Sequence, residues 1–181
     1  MKQFFLASTV ILLTSVSLHT MAQSGATLQV ANKKELKKEA RAVRKTEVGE
    51  RTLSQFSIDF PGAKKLASGV TGNMSVIAFV QNGVEYKAYY DIDNKLVGTT
   101  TNKLTSDLPA TALKSIKKNY PGYTITHVIL FDDNDANDSD MLLYGRQFED
   151  ADNYFPELQR DGKSIVLQVR TNGQVYFFKN L

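Results

Sequence analysis

A helix pattern that occurs twice, 60 residues apart, constrains the fold of this chain more than any other feature of its sequence. In the second copy, within residues 107–123, Leu113, Ile116 and Tyr120 are spaced at i, i+3 and i+7, which places them on one helix face. Asp107 is the candidate N-cap, a proline follows near the helix start, and a Pro-Gly pair after Tyr120 ends the run. The segment therefore predicts one complete amphipathic helix.

The first copy of the pattern consists of Leu53, Phe56 and Phe60, each 60 positions before its counterpart (113 − 53, 116 − 56, 120 − 60), and it also ends in Pro-Gly. Strand signals follow each helix, so the pattern predicts an α+β fold of two tandem repeats, residues 51–106 and 107–181. In each repeat one helix packs on an antiparallel sheet. We expect the two sheets to join into one sheet with a helix-free face.

Strands in the first repeat are predicted from apolar runs and one strong turn signal. Asn82-Gly83 lies between two such runs, and this pair favours a type I′ hairpin turn because both central residues need positive φ. The predicted strands are residues 76–81, 84–92 and 96–101. They form an antiparallel meander behind the helix.

The second repeat carries two acidic segments that the first repeat lacks. Its predicted strands are residues 123–132, 141–148, 164–170 and 174–179, with a further Asn-Gly hairpin turn at residues 172–173. The acidic segments, residues 132–140 and 149–162, are predicted to be solvated insertions. The second insertion contains large side chains that we expect to anchor it on the sheet: Tyr154, Phe155 and Leu158.

Residues 1–22 have the three parts of a secretory signal peptide: a basic residue, an apolar run, and small residues before a cleavage point at Gln23. The apolar run is too short for a membrane span, which needs about 20 apolar residues. The chain has no cysteine, which excludes disulfides, thiolate catalysis and cysteine-based metal sites. We therefore expect an exported protein, periplasmic or secreted, with no integral membrane segment after signal removal.

Residues 23–50 are predicted to be a leader that contains a basic helix at residues 33–46. Without Lys2, the mature chain has 21 basic residues (22 − 1) against 19 acidic ones, so its net charge predicts no nucleic-acid partner. The alternatives for the basic helix are a solvated lead into the fold and an arm that binds an anionic surface.

No constellation of catalytic residues emerges from the sequence. His127 is the single histidine of the mature chain, it lies in a predicted strand, and no G-x-S-x-G nucleophile motif accompanies it. A zinc site needs several nitrogen or sulfur ligands, which one histidine without cysteine cannot supply. We therefore predict that the protein is not an enzyme and has no catalytic residues, with His127 in the core or on the sheet surface.

Oxygen ligands are the one metal chemistry left open. Asp133, Asp135 and Asn137 have the alternate spacing of a calcium loop, but Asp138 and Tyr144 occupy the positions where an EF-hand has glycine and glutamate. The segment is therefore not an EF-hand. A looser calcium site at the first three residues and a plain solvated loop both remain as interpretations, and no other cofactor is expected.

Strand alternation places several large side chains on the helix-free face. Within residues 84–90, Tyr86, Ala88 and Tyr90 form the better core face, so the residues between them point to the opposite side. The candidate protein-binding residues are those that alternation directs to the helix-free face: Lys87, Tyr89, Tyr144, Arg146 and Phe148. Tyrosines on an open sheet are typical of binding surfaces, although they can equally cover cross-strand neighbours.

Four short motifs resemble those of the PepSY-like proteins of exported bacterial origin, which share a fold with the β-lactamase inhibitory protein. The motifs are FPGA at residues 60–63, YYD at 89–91, DLP at 107–109 and YPGY at 120–123. The resemblance covers residues 51–181 and implies two tandem α/β units with joined sheets, with helices on one face. It also implies a free face, which in the inhibitor proteins of similar fold grips an enzyme. The acidic segments depart from the family pattern, and no inhibitory contact residue carries over by position.

These features together predict a non-catalytic exported binding module. We expect it to recognise another protein, such as an envelope peptidase or hydrolase, through its open sheet face. The alternative is a calcium or small-ligand binding protein that uses the acidic loops of the second repeat. No sequence feature identifies the partner itself.

Overall fold

The dominant feature of the structure, a computed structural model that describes residues 47–181, is one antiparallel sheet of eight strands. In chain order the elements are α1 (Glu50–Asp59), β1 (Lys64–Thr71), β2 (Met74–Gln81), β3 (Val84–Tyr90), β4 (Leu96–Lys103), a short 3-10 helix (Thr105–Asp107), α2 (Ala110–Asn119), β5 (Thr124–Asp133), β6 (Met141–Leu143), β7 (Arg146–Phe148), β8 (Asn153–Arg160), β9 (Lys163–Arg170) and β10 (Val175–Asn180). The large sheet has the order β1-β2-β3-β4-β5-β8-β9-β10, and β6 and β7 form a separate hairpin. The predicted signal peptide and basic helix, residues 1–22 and 33–46, lie outside the described residues.

Both α-helices pack on the same face of the large sheet. Phe56 of α1 lies in a cluster with Ile77, Phe79 and Tyr90, while α2 buries Ile116 in a second cluster over β5, β8 and β9. Strand pairing shows that the two clusters share a face, because the register runs from β3 through β4 to β5 without a change of side. The chain is therefore a mostly-sheet α+β fold with two α-helices among the described residues.

The middle of the sheet is closed by direct pairing between β4 and β5. Their register runs from Gly98 opposite Asp133 to Lys103 opposite Val128. The strands before and after α2 are therefore neighbours in one continuous sheet, as the joined-sheet prediction requires.

The β6–β7 hairpin lies across the helix-free face and forms a third core cluster there. Met141 and Phe148 pack against Tyr89 and Val97 of the sheet. The ring of Phe148 lies edge-on to that of Phe131, with centroids 5.1 Å apart. The helix-free face is therefore partly closed by the chain itself, and the prediction of one strand over residues 141–148 is wrong because the chain reverses at a turn between β6 and β7.

The start of α2 differs from the prediction. Asp107 does not cap this helix, which begins at Ala110. Its carboxylate accepts a hydrogen bond from the backbone N–H of Leu104 at 2.9 Å and closes the 3-10 helix. Leu108 and Pro109 are extended, with ψ of 143° and 135°, and this separates Asp107 from the first turn of α2.

Strand β8 corrects the prediction of a second acidic insertion. Residues 153–160 form a strand inside the large sheet, between β5 and β9. Proline weakens a strand signal because it cannot donate to the ladder. Pro156 is nevertheless paired with Val128 of β5, and the β8–β9 register skips Phe155 and Pro156. The N–H that proline lacks is therefore at a position where the hydrogen-bond ladder between β8 and β9 is interrupted.

Of the two hairpin turns predicted from Asn-Gly pairs, one has the predicted geometry and the other does not. Asn82 and Gly83 have φ of 53° and 79°, which confirms the type I′ turn between β2 and β3. Gly173 has φ of 86°, but Asn172 does not have positive φ, and the pairing of β9 with β10 leaves a wider loop. The N–H of Gly173 donates to Arg170 O at 2.8 Å, as in a three-residue loop with a glycine bulge.

Neither α-helix exceeds ten residues. Within residues 47–181, no helix is long and apolar enough to cross a membrane.

Candidate functional site

The helix-free face contains a groove between β1 and the β6–β7 hairpin. Two adjoining cavities of about 570 and 430 Å³ form it, and they share Ala78, Lys87, Tyr89, Leu143 and Tyr144. The larger cavity extends over β1, and the smaller one extends over β4 and β5 toward His127. Volumes in this range are typical of ligand and peptide sites, so this groove is the candidate functional site.

The floor of the groove lies lower toward β1 because the side chains in each cross-strand row become smaller. Strand pairing sets Lys87 beside Ala78, and Ala78 beside Ala67. The next row runs from Tyr89 through Val76 to Gly69. Both rows therefore end at the sheet edge in residues with little or no side chain.

The hairpin turn forms the opposite wall. Tyr144 and Gly145 are its central residues, with φ of 54° and 71°. A tyrosine with positive φ is uncommon, because that conformation favours glycine or asparagine. The Tyr144 hydroxyl donates to Glu157 Oε1 at 2.5 Å, and Lys179 Nζ donates to the Tyr144 carbonyl. These contacts hold the turn against the sheet.

Burial and the neighbouring carboxylate both favour the neutral form of Tyr144. Burial raises the pKa of this phenol most, and the hydrogen bond to Glu157 and its negative charge raise it further. Burial likewise raises the pKa of Tyr89, whose hydroxyl lies 3.2 Å from Thr100 Oγ1. The two tyrosines of the groove thus act as neutral, rigid surfaces and not as acids or bases.

A short polar network closes the β5 end of the groove. His127 Nε2 lies 2.8 Å from Asn102 Oδ1, and its Nδ1 lies 3.4 Å from Glu157 Oε1. His127 is therefore on the sheet surface with partners on both ring nitrogens. The contacts of the imidazole are with a side-chain amide and a carboxylate, an arrangement that suits recognition by hydrogen bonds.

Three of the five predicted protein-binding residues come together in the groove: Lys87, Tyr89 and Tyr144. Lys87 is exposed, Tyr144 is half-buried, and Tyr89 is only 8% exposed beneath the hairpin. Tyr89 therefore faces the predicted side of the sheet but is part of the core, since the hairpin covers most of its ring.

The other two predicted residues lie elsewhere on the hairpin. Phe148 is 6% exposed and sits in the core cluster beneath β7. Arg146 donates to the Phe178 carbonyl, and its guanidinium carbon lies 5.3 Å from the centroid of the Phe178 ring. Strand alternation could not predict these positions because it assumed that residues 141–148 belong to the large sheet.

Several groove residues carry no signal in the sequence. Ala67 and Gly69 contribute by being small, while Leu142 and Glu157 reach the site through the hairpin and through β8. The alternation of β2 would have indicated Val76 and Ala78 once the helix-covered face was known. The remainder depends on strand pairings that no local pattern reveals.

The three candidate calcium ligands are not assembled into one site. Asn137 is 7% exposed, and its side-chain amide donates to Leu96 O at 3.0 Å and to Asp91 Oδ2 at 3.2 Å. Asp133 belongs to β5, and Asp135 is exposed. Across the described part of the chain, no group of three or more histidine, aspartate or glutamate side chains is positioned to hold a metal ion.

Asp133 is nevertheless in an unusual setting. Its Oδ1 is buried without a hydrogen-bond partner within the described residues, and so is Oδ1 of Asp150. Burial raises the pKa of Asp133 from its ordinary value of 3.8 to about 7, and the neighbouring Asp150 carboxylate contributes in the same direction, because its negative charge and its ability to accept a proton from Asp133 both favour the protonated form. The two carboxyl groups thus favour sharing one proton at mildly acid pH.

A broad antiparallel sheet with both described α-helices on one face and a groove on the other is an α+β fold, and a BLIP-like protein is among the solved structures that share this fold. No protein-family model matches the chain, and no curated protein matches it. The PepSY resemblance therefore stays a prediction.

Solved structures with a similar fold come from Bacteroides species. A DUF2874 family protein from Bacteroides uniformis has a TM-score of 0.61 and 13% identity, over 74% of this chain and 90% of that chain. A BLIP-like protein from Bacteroides fragilis has a TM-score of 0.56 and 14% identity, over 75% and 87%. A protein from Bacteroides eggerthii, described provisionally as periplasmic, has a TM-score of 0.59 and 12% identity, over 74% and 89%. At these identities the likeness shows the fold alone.

Proposed function

We propose that this protein is a non-catalytic, exported binding module that recognises another protein through the groove on its helix-free face. The observation that carries the proposal is the groove itself, a concave and mainly apolar surface beside an exposed lysine, with neutral tyrosines in its floor and wall. Interfaces typically combine an apolar centre and aromatic anchors with a few polar groups that fix orientation.

The fold likeness supports the same proposal. One structure of similar fold is a BLIP-like protein, and another is described provisionally as periplasmic. We extend this to a partner class, an envelope peptidase or other hydrolase that the groove would bind and regulate. The apolar segment at residues 1–22 supports export of the chain.

The test is capture of a partner from envelope extract by the purified mature protein and its groove variants. Lys87→Glu reverses the charge at the groove. Gly69→Arg places a large side chain at the β1 end of the groove, where a Cβ meets no heavy atom within 4 Å. Lys114→Glu on the exposed surface of α2 is the matched control for charge reversal.

Wild type and Lys114→Glu should retain the same protein, and both groove variants should lose it. Retention by all four proteins, or by none, would refute the proposal. Tyr89→Ala is unsuitable here, because removing a ring that is 8% exposed would destabilise the core and confuse unfolding with loss of binding.

We also propose that the two halves of the described chain are structural repeats. Supporting this, α1 and α2 each have ten residues and end in nearly the same geometry, with φ and ψ of −126° and 70° at Phe60 and −125° and 59° at Tyr120. In both, the backbone N–H of this residue donates to the carbonyl four residues earlier at 2.9 Å. Gly62 and Gly122 then take φ of 77° and 80°.

Cation binding by the acidic segment is the alternative function, and one observation favours it. Asp133 and Asp150 each have a buried carboxylate oxygen without a partner in the part of the chain that the structure describes. A hard cation such as calcium accepts flexible sets of oxygen ligands. Asp135 and Asp152 are exposed and near them in sequence, and a bound cation would have to draw these carboxylates in, since no three acidic side chains are already positioned around a metal ion within the described residues.

A calcium titration followed by thermal unfolding tests this alternative. If calcium binds, millimolar metal should raise the melting temperature of the wild type and leave Asp133→Asn unchanged. Magnesium at the same concentration is the control for ionic strength. No shift in the wild type would remove the alternative.

A further inference from the structure

We infer that the partner binds as an extended segment that adds a strand to the edge of β1, which no strand of residues 47–181 covers, and directs an acidic side chain toward Lys87. This inference rests on the proposed function and specifies its binding mode. The edge of β1, the groove beside it and the charge of Lys87 each support it, and the first two adjoin residues 67–71.

Strand β1 is at one end of the eight-stranded sheet, and β2 is its neighbour there. The pairing of Thr71 with Met74 across Gly72 and Asn73 is that of a two-residue hairpin, in which the flanking residues form a hydrogen-bonded pair. Hydrogen-bonded positions alternate along an antiparallel strand, so the backbone of Gly69, two residues before Thr71, also bonds to β2. The backbone groups of Ser68 and Val70 therefore face away from the sheet, where a further strand would find them.

The irregular part of β1 protects only its beginning. A bulge lies between Lys65 and Ala67, and lysines occupy the first two positions, which are features that discourage edge pairing. From Ala67 to Thr71 the register with β2 is regular. The other end strand, β10, has its bulge between Phe177 and Lys179, inside its paired segment, and it does not border the groove.

The groove gives an added strand a place for its side chains. A residue opposite Gly69 would face Val76 and the hairpin residue Leu142, both of which line the cavity. A Cβ at Gly69 meets no heavy atom within 4 Å, so the space above this position is open. An apolar side chain from the partner fits there, because the lining is mainly aliphatic.

The charge of Lys87 favours an acidic residue at the next position of the added strand on the same face, two residues from the one opposite Gly69. Of the described residues that line the larger cavity, Lys87 is the one with a charged side chain, and Ala78 and Ala67 lie between it and the edge. Strands are spaced by about 4.8 Å, so an added strand would lie about 14 Å from β3. Extended lysine and glutamate side chains together with one hydrogen bond span about that distance. The partner chemistry is therefore an extended peptide with an apolar and an acidic residue at alternate positions.

A capped synthetic nonapeptide is the probe, with alternating threonine and valine and one glutamate two positions from a valine. Binding of the fluorescein-labelled probe to the mature protein is measured by anisotropy. Ser68→Pro removes an outward N–H while keeping the bonds of β1 to β2, and proline is tolerated on such an edge. Ser68→Ala is the matched control because it keeps the N–H.

The wild type and Ser68→Ala should bind the probe equally, and Ser68→Pro should bind it at least about tenfold more weakly. Lys87→Glu should weaken binding of the glutamate probe by about tenfold, and a probe with lysine in place of glutamate should restore it. Hydrogen exchange on the wild type gives a readout that is independent of variants, since the probe should slow exchange at Ser68 and Val70.

Absence of saturable binding to the wild type, or equal binding by Ser68→Pro, would overturn the inference. If an envelope protein is captured by wild type and Ser68→Pro alike but is lost by Gly69→Arg, the proposed function stands and strand addition falls. If the wild type is a dimer that Ser68→Pro dissociates, a second copy occupies the edge and the inference is wrong. If the control Lys114→Glu loses the captured protein as the groove variants do, the loss is not specific to the groove, and this result would refute the proposed function itself.

Discussion

Gly98 shows how one missing side chain decides the packing at the centre of the sheet. A Cβ at this position would lie 2.6 Å from the Asp132 carbonyl oxygen and 2.6 Å from Cζ of Phe131. Real Cβ atoms do not approach other atoms this closely, so the Phe131 ring uses the space that glycine leaves. Gly98 is thus required by a close approach across β4 and β5.

We predict that Gly98→Ala destabilises the protein by about 1–3 kcal/mol, because either the Phe131 ring or the backbone of β5 must shift. Gly69→Ala is the matched control, since the same added methyl meets no heavy atom within 4 Å. The control should change the free energy of unfolding by less than about 0.5 kcal/mol. Urea denaturation measures both, and equal effects would contradict the close approach.

Asp133 links stability to pH. Burial and Asp150 raise the pKa of Asp133 from 3.8 to about 7, so between these values the folded protein keeps a proton that the unfolded chain has released. The free energy of unfolding should therefore fall as pH rises from about 4 to about 7, and this contribution should level off above about 7.

Asp133→Asn should remove this slope and be more stable than the wild type at about pH 8, because an amide can donate to Asp150 where the carboxylate cannot. Asp135→Asn, at an exposed position, should leave the slope unchanged. Urea denaturation across the pH range tests the prediction, and a wild type whose stability rises from about pH 4 to about 7 relative to Asp133→Asn would contradict it.

At the scale of elements, the β6–β7 hairpin shapes the candidate site. By covering Tyr89 and contributing Met141 and Phe148, it converts part of the helix-free face into core. Its turn then stands beside β1 as the wall of the groove. One short element therefore both stabilises the sheet and shapes the groove.

The two helices allow a test of the proposed repeat. Phe56 and Ile116 are 5% and 4% exposed, while Phe60 and Tyr120 are half-buried, so the deepest equivalent positions are the first pair. Replacing Phe56 by Ala should cost about 3–5 kcal/mol, and Ile116 by Ala about 2–5 kcal/mol. Ser57→Ala and Lys117→Ala, at exposed positions, are the controls. A neutral result for either buried residue in chemical denaturation would refute the equivalence.

At the scale of the whole molecule, the two halves share their stability. The core cluster under the hairpin contains Met74, Tyr89 and Val97 from the first half, and it contains Phe131 and Phe155 from the second half. The β4–β5 pairing joins the halves through the backbone as well. Neither half can bury this cluster without the other.

The protein should therefore unfold in a single transition. Far-ultraviolet circular dichroism and tyrosine fluorescence should give coincident urea curves, as expected for a two-state domain. Gly98→Ala, which loosens the β4–β5 junction, should lower the midpoint of both curves equally. Separate transitions for the two probes would show that the halves fold independently.

The sequence by itself determined the features that depend on local geometry. The 3.6-residue periodicity predicted both helices, the positive φ required by Asn82-Gly83 predicted a hairpin, and alternation assigned Tyr89 and Tyr90 to opposite faces. Each of these follows from bonds and clashes among residues that are close in the chain.

Only the tertiary structure decided how these elements meet. Strand β1 was not predicted because an exposed edge strand lacks an alternation of apolar residues. Strand β8 was not predicted because Pro156 weakens the strand signal, although pairing with β5 still forms the strand. The groove depends on both strands and on the hairpin that folds over Tyr89. Contacts between residues distant in the chain are set by the total apolar area buried and by the pairing of whole strands, and no local pattern encodes either.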